Sequence, residues 1–450
     1  MRGQVPRAKT PMDKKDFARR RKRLMDIVDN GGIVIQPTAP ERIRNRDVYY
    51  PFRADSDFHY LTGFPEPEAV LVLVPDRAQG ECILFCREKD RATELWHGRR
   101  LGLEGACEFY GADDAFPIAD LDDILPGLIE NKDRIYYTMG RYQDFDQRVV
   151  GWLNQVSSKG RAGVHAPDQF NSLAHYVHEM RLYKSREEIK TMRRAAQIAG
   201  VAHRRAMQAC KPGMFEYQIE AELLHSFVAQ GARAPAYPCI VGGGANSCIL
   251  HYTDNSDILR DGDLLLIDAG AELEGYASDV SRTFPVNGRF TPEQRAIYEI
   301  VLEAQLAAIA AVRPGNSWNE PHEAAVEVIA KGLVDVGILK GRWRTMIKDE
   351  AYRPYYMHRT SHWLGMDVHD VGDYKVGDEW RTFEAGMVTT VEPGLYLSPF
   401  IKGLAKRWWN IGIRIEDDIL VTGDGHEVLS AGAPKTIEDI ETTMRQASAK

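Results

Sequence analysis

The sequence has no Cys-x-x-Cys pair. Its six cysteines, Cys82, Cys86, Cys107, Cys210, Cys239 and Cys248, are scattered along 450 residues. That argues against a zinc ribbon or a thioredoxin-like site and predicts free, mostly buried thiols in a reducing compartment. No apolar run approaches the roughly 20 residues of a bilayer span, and the N-terminus lacks the apolar core of a secretory signal. The expected location is therefore cytoplasmic, with no membrane partner. Net positive charge is missing too: 57 Lys and Arg stand against 65 Asp and Glu, a formal charge of −8. No global field draws such a chain to nucleic acid. Residues 1–23 are the local exception, with ten Lys or Arg that include the run Arg19-Arg20-Arg21-Lys22-Arg23. Because the remainder is acidic, this segment reads as a tail leading into a surface helix with Phe17, Leu24, Ile27 and Val28 on its apolar face. No short tandem repeat and no low-complexity tract occurs.

What remains is an ordinary globular composition in a chain long enough for two domains. Ile33-Val34-Ile35, Ala69 to Val74 and Cys82 to Cys86 read as strands, the last two joined by a turn at Pro75-Asp76-Arg77. Their continuous apolar character predicts burial on both faces. Helices are expected around 118–130 and 143–156. Ser185 and Glu188 form a capping box just before a long helical pattern, which sets a domain boundary near 180–185. The expected division is an α/β domain over 1–182 and a second domain over 183–450. In the second, helices at 187–209, 215–230, 292–312 and 318–337 alternate with strands.

The chemistry concentrates in that second region. Leu264-Leu265-Leu266-Ile267-Asp268 is an apolar strand ending on an acid, and Tyr276 to Phe284 is a second strand containing Asp279. A hairpin folded about the Leu273–Glu274 peptide sets Asp268 directly opposite Asp279 on one face. Two carboxylates so placed repel unless a cation sits between them. Met387 to Val391 is another β-rich run ending on an acid, Glu392. Gly412 to Asp418 reads as a strand with Arg414 and Glu416 on the same face. Between these lie three histidines in twelve residues: His358, His362 and His369. The i, i+4 pair His358/His362 lacks the glutamate of a zinc-protease helix, since Arg359 stands in its place, so that reading is rejected.

The order Asp…Asp…His…Glu…Glu with these flanks resembles the "pita-bread" dimetal peptidases, in particular their aminopeptidase P branch. The likeness runs from Tyr50-Pro51-Phe52-Arg53 through Glu94-Leu95-Trp96, Ile249-Leu250-His251-Tyr252 and Ser361-His362-Trp363 to Ile415-Glu416-Asp417-Asp418. The resemblance implies an α+β fold: a pita-bread catalytic domain with a curved antiparallel sheet, preceded by a smaller α/β domain serving oligomerisation and substrate access. It implies two divalent ions, manganese by family habit, held by Asp268, Asp279, His362, Glu392 and Glu416. Asp279 and Glu416 would bridge the ions, Asp268 would hold one, and His362 and Glu392 the other. His251, His358, His369 and Arg414 match catalytic-site positions, with Glu392 also moving the proton. Trp96 and Tyr396 match substrate-binding positions, Trp96 in a neighbouring subunit's site, and Asp47 matches an acid that steadies Arg414. The implied activity is release of the N-terminal residue from peptides with proline second, by a homotetramer or homodimer. Arg359 departs from the family, where glycine is usual, and Trp408-Trp409 is also unusual.

A prolidase shares the same ligands but cleaves only Xaa-Pro dipeptides, and Ser361-His362-Trp363 favours the aminopeptidase. A metal-free pita-bread binding protein would have lost ligands, whereas all five are present. A nucleic-acid binder would rest on the basic N-terminus alone.

Overall fold

The computed structural model describes residues 12–448, so the basic residues among 1–11 lie outside it. The chain divides between Arg181 and Leu182 into two compact units.

The first unit is built on a six-stranded mixed sheet. Its strand order is Asp114–Pro117, Cys82–Cys86, Val70–Leu73, Gly32–Pro37, Arg134–Tyr136, Gln169–Asn171. The three strands read from the sequence are its centre and are buried along their whole length, as their unbroken apolar character requires. Helices Leu121–Ile129 and Gln143–Ser157 pack Leu121, Leu125, Val149 and Trp152 against Ile33, Val72 and Phe85.

The first helix, Lys14–Val28, departs from expectation. Phe17, Leu24 and Val28 are buried, but Ile27 is exposed, and Arg20 and Arg21 take buried places instead. Arg20 lies 4.0 Å from the Tyr60 ring centre and donates to Tyr60 O, while Arg21 donates to Leu61 O and Gly111 O. Tyr60 and Leu61 are in the last turn of helix Ser56–Thr62, whose carbonyls need donors. Part of the basic run is therefore structural cement rather than a solvated face.

The second unit carries the long helices Arg186–Ala209, Glu216–Ala229, Pro292–Ala311 and Glu320–Asp335. The Ser185/Glu188 capping box is formed. Ala195, Ala199, Ala202 and Ala206 give the first of these a small-residue buried face that allows close packing on the strands. Its strands form short antiparallel ladders. One is Ile240–Gly243, Leu264–Asp268, Ser281–Pro285; another is Val388–Val391, Asp417–Val421, His426–Val428; a third pairs Gly394–Leu397 with Ile411–Arg414.

Two findings revise the sequence reading. The expected single strand over 412–418 is broken at Ile415-Glu416. The hairpin is also shifted: Asp268 pairs with Ser281, and Leu273 with Tyr276. The turn is Glu274-Gly275, with φ of 53° and 81°, as a two-residue type I′ turn requires. A shift of two residues preserves the face, so Asp268 and Asp279 still share it as diagonal neighbours.

The first and third ladders are tied at the bottom of the site. Arg414 N donates to Thr283 Oγ1 and Glu416 N to Ser281 O. Beneath them the Arg282 guanidinium, fully buried, donates to Asp417 Oδ1 at 2.7 Å.

Candidate metal centre

Each acidic side chain of the site stands where a strand stops. Asp268 closes Leu264–Asp268, Asp279 precedes Ser281–Pro285, Glu392 follows Val388–Val391, and Glu416 sits at the break between Ile411–Arg414 and Asp417–Val421. Apolar strand residues fix the backbone in the core, and the first polar position beyond them opens into a pocket. Asp268, Asp279, His362, Glu392 and Glu416 line that pocket together with His251, His358, His369 and Arg414. His362 lies in irregular chain rather than a helix, and strand pairing places it: Thr390 N donates to His362 O, and Trp363 bridges to Thr389.

His362 is oriented as a ligand. Its Nδ1 contacts Trp363 O at 2.9 Å. A carbonyl only accepts, so Nδ1 carries the proton and Nε2 presents its lone pair. That Nε2 lies 3.4 Å from Asp279 Oδ2 and 3.6 Å from Glu392 Oε1. Ligand atoms of Asp279, His362 and Glu416 all fall within 4.8 Å of one another.

The electrostatics calls for cations. Burial first, then Asp268, holds the Asp279 carboxyl well above its ordinary range; burial and Asp279 do the same to Glu416. Burial and Glu416 push Glu392 up to about 8. Asp268 goes the other way: burial opposes its charge, but Arg414 at 2.7 Å and the Tyr237 hydroxyl outweigh it. Four crowded carboxylates and one imidazole, with no thiolate, are a donor set suited to hard divalent ions.

One side of the pocket is a hydrogen-bonded wall. Arg414 Nη1 donates to Tyr396 Oη, Tyr396 donates to His358 Nε2 at 2.8 Å, and His358 Nδ1 donates to Arg359 O at 2.8 Å. Burial, reinforced by Arg414, lowers His358 to about 4, so the ring is neutral and both nitrogens are engaged. Arg414 also donates to Ser281 Oγ, and Ser281 in turn to Glu416 Oε2 at 2.8 Å. Asp47 lies exposed between strands Ile43–Asn45 and Val48–Tyr49 of the first unit, and Arg414 is steadied by Asp268 within its own unit. His251 and His369 reach the pocket from exposed positions. Trp96 belongs to the first unit, on helix Arg91–His97, and is 82% exposed.

Sequence reasoning missed three residues. Tyr237 Oη lies 2.6 Å from Asp268 Oδ1 and against Asp279 Oδ1, one proton serving two carboxylates. Ser281 links Arg414 to Glu416. Asp418 accepts the Asp279 backbone N–H at 3.1 Å. Ser281 stands opposite Asp268 only in the observed hairpin register, which the sequence reading missed. Tyr237 carries no local signal.

The Metallopeptidase family M24 model matches residues 190–423, and the model of the aminopeptidase P N-terminal domain matches residues 17–136. The chain is 47% identical to the Xaa-Pro aminopeptidase of Escherichia coli over 434 residues, which is 96% of this chain and 98% of that protein. It is similar to the solved structure of aminopeptidase PepP from Pseudomonas aeruginosa, with a TM-score of 0.97 at 56% identity over 98% of this chain and 100% of that one. A zinc-substituted aminopeptidase P from E. coli, in complex with product, matches with a TM-score of 0.94 at 46% identity over 97% of this chain and 99% of that one.

Proposed function

The chain belongs to metallopeptidase family M24, and we propose that Asp268, Asp279, His362, Glu392 and Glu416 are the ligands of its two divalent ions. The protein is a pita-bread metallo-aminopeptidase that releases the N-terminal residue from peptides with proline at the second position. The observation that carries the ligand assignment is the convergence of these five side chains, from four separate stretches of chain, on one pocket where three of the carboxyls are destabilised as anions.

Asp279 and Glu416 would serve both ions, Asp268 would hold one, and His362 and Glu392 would hold the other. The oxygen-rich set suits manganese, magnesium or cobalt, and the family likeness points to manganese among them. Bound there, the ions would lower the pKa of a water toward neutrality and polarise the scissile carbonyl. The side chains do the rest. Glu392 accepts the proton of the attacking water and delivers it to the leaving nitrogen. His251 or His369 donates an N–H to the oxyanion as it develops on the first residue's carbonyl. His358, Tyr396 and Arg414, locked in one hydrogen-bonded chain, present a rigid wall to the substrate. An Xaa-Pro amide has no N–H, so a site that demands backbone donation cannot process it; its nitrogen must still be protonated to leave, which Glu392 provides. Trp96, exposed on the first unit, serves the site of a neighbouring copy in a homotetramer or homodimer. The protein works in the cytoplasm, in keeping with its free cysteines.

The test is a substrate panel on chelator-treated protein, with and without added manganese. Xaa-Pro-Yaa peptides should lose their first residue only with metal present, and Xaa-Ala-Yaa peptides should resist. Hydrolysis confined to Xaa-Pro dipeptides would contradict the reading and favour a prolidase.

A further inference from the structure

A second cavity, of about 720 Å³, adjoins the metal pocket. The two share Arg359, Ser361, His362 and His369, so a peptide held at the metal centre can extend from one into the other. The far wall is aromatic. Trp318 and Trp380 stack with ring centres 5.4 Å apart, and Tyr374 packs 4.5 Å from Trp318.

Two cations are laid over this wall. The Arg359 guanidinium carbon is 5.3 Å from the Trp318 ring centre and 4.8 Å from that of Trp380. Lys375 Nζ is 4.6 Å from the Trp380 ring centre. Arg359 is also fixed by the side-chain oxygen of Asn319, a neutral acceptor. Asp373 is the one acid among the residues lining the cavity, against Arg359 and Lys375, so its wall carries an excess of positive charge; Glu323, outside the lining, also acts on Arg359 electrostatically.

We propose that this cavity is a binding subsite for a carboxylate-bearing part of the peptide substrate, with Arg359 and Lys375 as its charged contacts; the proposal rests on the aminopeptidase reading. The indole and phenol faces take an aliphatic stem, and the guanidinium edge, held flat on the aromatic wall, takes the carboxylate. Two parts of a peptide carry this chemistry: an acidic side chain, or the C-terminal carboxylate of a short chain.

The test measures kcat/KM on the manganese-loaded full chain for three matched pairs. These are Glu-Pro-Ala amide against Gln-Pro-Ala amide, Ala-Pro-Glu amide against Ala-Pro-Gln amide, and Ala-Pro-Ala against its amide. The wild type should prefer the charged member of at least one pair by about tenfold. Arg359→Gln should bring that ratio to within about twofold of unity, and Arg359→Lys should retain part of it. The pair that responds identifies the source of the carboxylate. Absence of preference in all three pairs, or a ratio unchanged by Arg359→Gln, would overturn the subsite; a loss common to both members leaves the ratio unchanged and counts the same way. No hydrolysis of any of the six by the wild type would overturn the aminopeptidase reading itself, and the subsite with it.

Discussion

At the scale of single residues, the proposed ligands depend on the partners that hold them. Tyr237 and Arg414 hold Asp268 from two sides. His203 supports the same strand from beneath: its Nε2 donates to Ala269 O at 3.0 Å, while its Nδ1 is buried without a partner. A proton on Nδ1 would place a charge in a fully buried spot, and burial, with Arg282 nearby, lowers the group from 6.5 to about 4. The folded state thus disfavours a proton that the unfolded chain takes up. Stability from this residue is complete above pH 6.5 and is lost as pH falls toward 4, by about 3 kcal/mol. Urea unfolding of the wild type across that range should show the loss, and His203→Gln should flatten it; an identical pH slope in the variant would contradict the assignment. The five proposed ligands were legible through the family resemblance, with Asp268 and Glu392 marked by the apolar runs they end and His362 by its histidine cluster. Tyr237 and His203 were not, because their roles arise only when distant segments pack.

At the scale of elements, the site depends on register and on close backbone approach. Gly270, just beyond Asp268, has no room for a side chain: a Cβ there would stand 1.7 Å from Ser278 O. Gly270→Ala should therefore force apart the two segments carrying Asp268 and Asp279. The expected result is a loss of more than about 1–3 kcal/mol of stability, together with weaker metal binding in calorimetry. Near-wild-type metal affinity in that variant would show that the approach does not position the ligands. Arg282 and Asp417 are the residues next to Ser281 and Glu416. Burial disfavours the Asp417 charge, but Arg282 and Lys435 outweigh it and hold the carboxyl well below its usual range. Removing one partner leaves the other buried and unpaired, so Asp417→Asn should cost about 3–5 kcal/mol by chemical denaturation. A cost under 1 kcal/mol would contradict this. The hairpin register was misread from sequence by two residues. The Glu274-Gly275 turn takes both central residues at positive φ, a choice that local composition alone did not separate from a turn one residue earlier.

At the scale of the molecule, the helices, the buried central strands and the capping box at Ser185 were read from periodicity and end signals. What periodicity could not give was how the strands of the second unit combine, because Ser281–Glu416 and Thr283–Arg414 join positions more than 130 residues apart. The basic run at the start was misjudged for the same reason: Arg20 and Arg21 find their acceptors about 40 residues away, on the end of another helix. The proposed ligands likewise converge on one pocket from four separate stretches of chain, which only a folded molecule brings together. The most direct measurement titrates chelator-treated protein with manganese, recording bound metal by elemental analysis and hydrolysis of an Xaa-Pro-Yaa peptide on the same samples. Activity should saturate as two ions bind per chain, and Asp279→Asn and Glu416→Gln should lose metal and activity together. Full activity in the metal-free protein, or in either variant, would contradict the account.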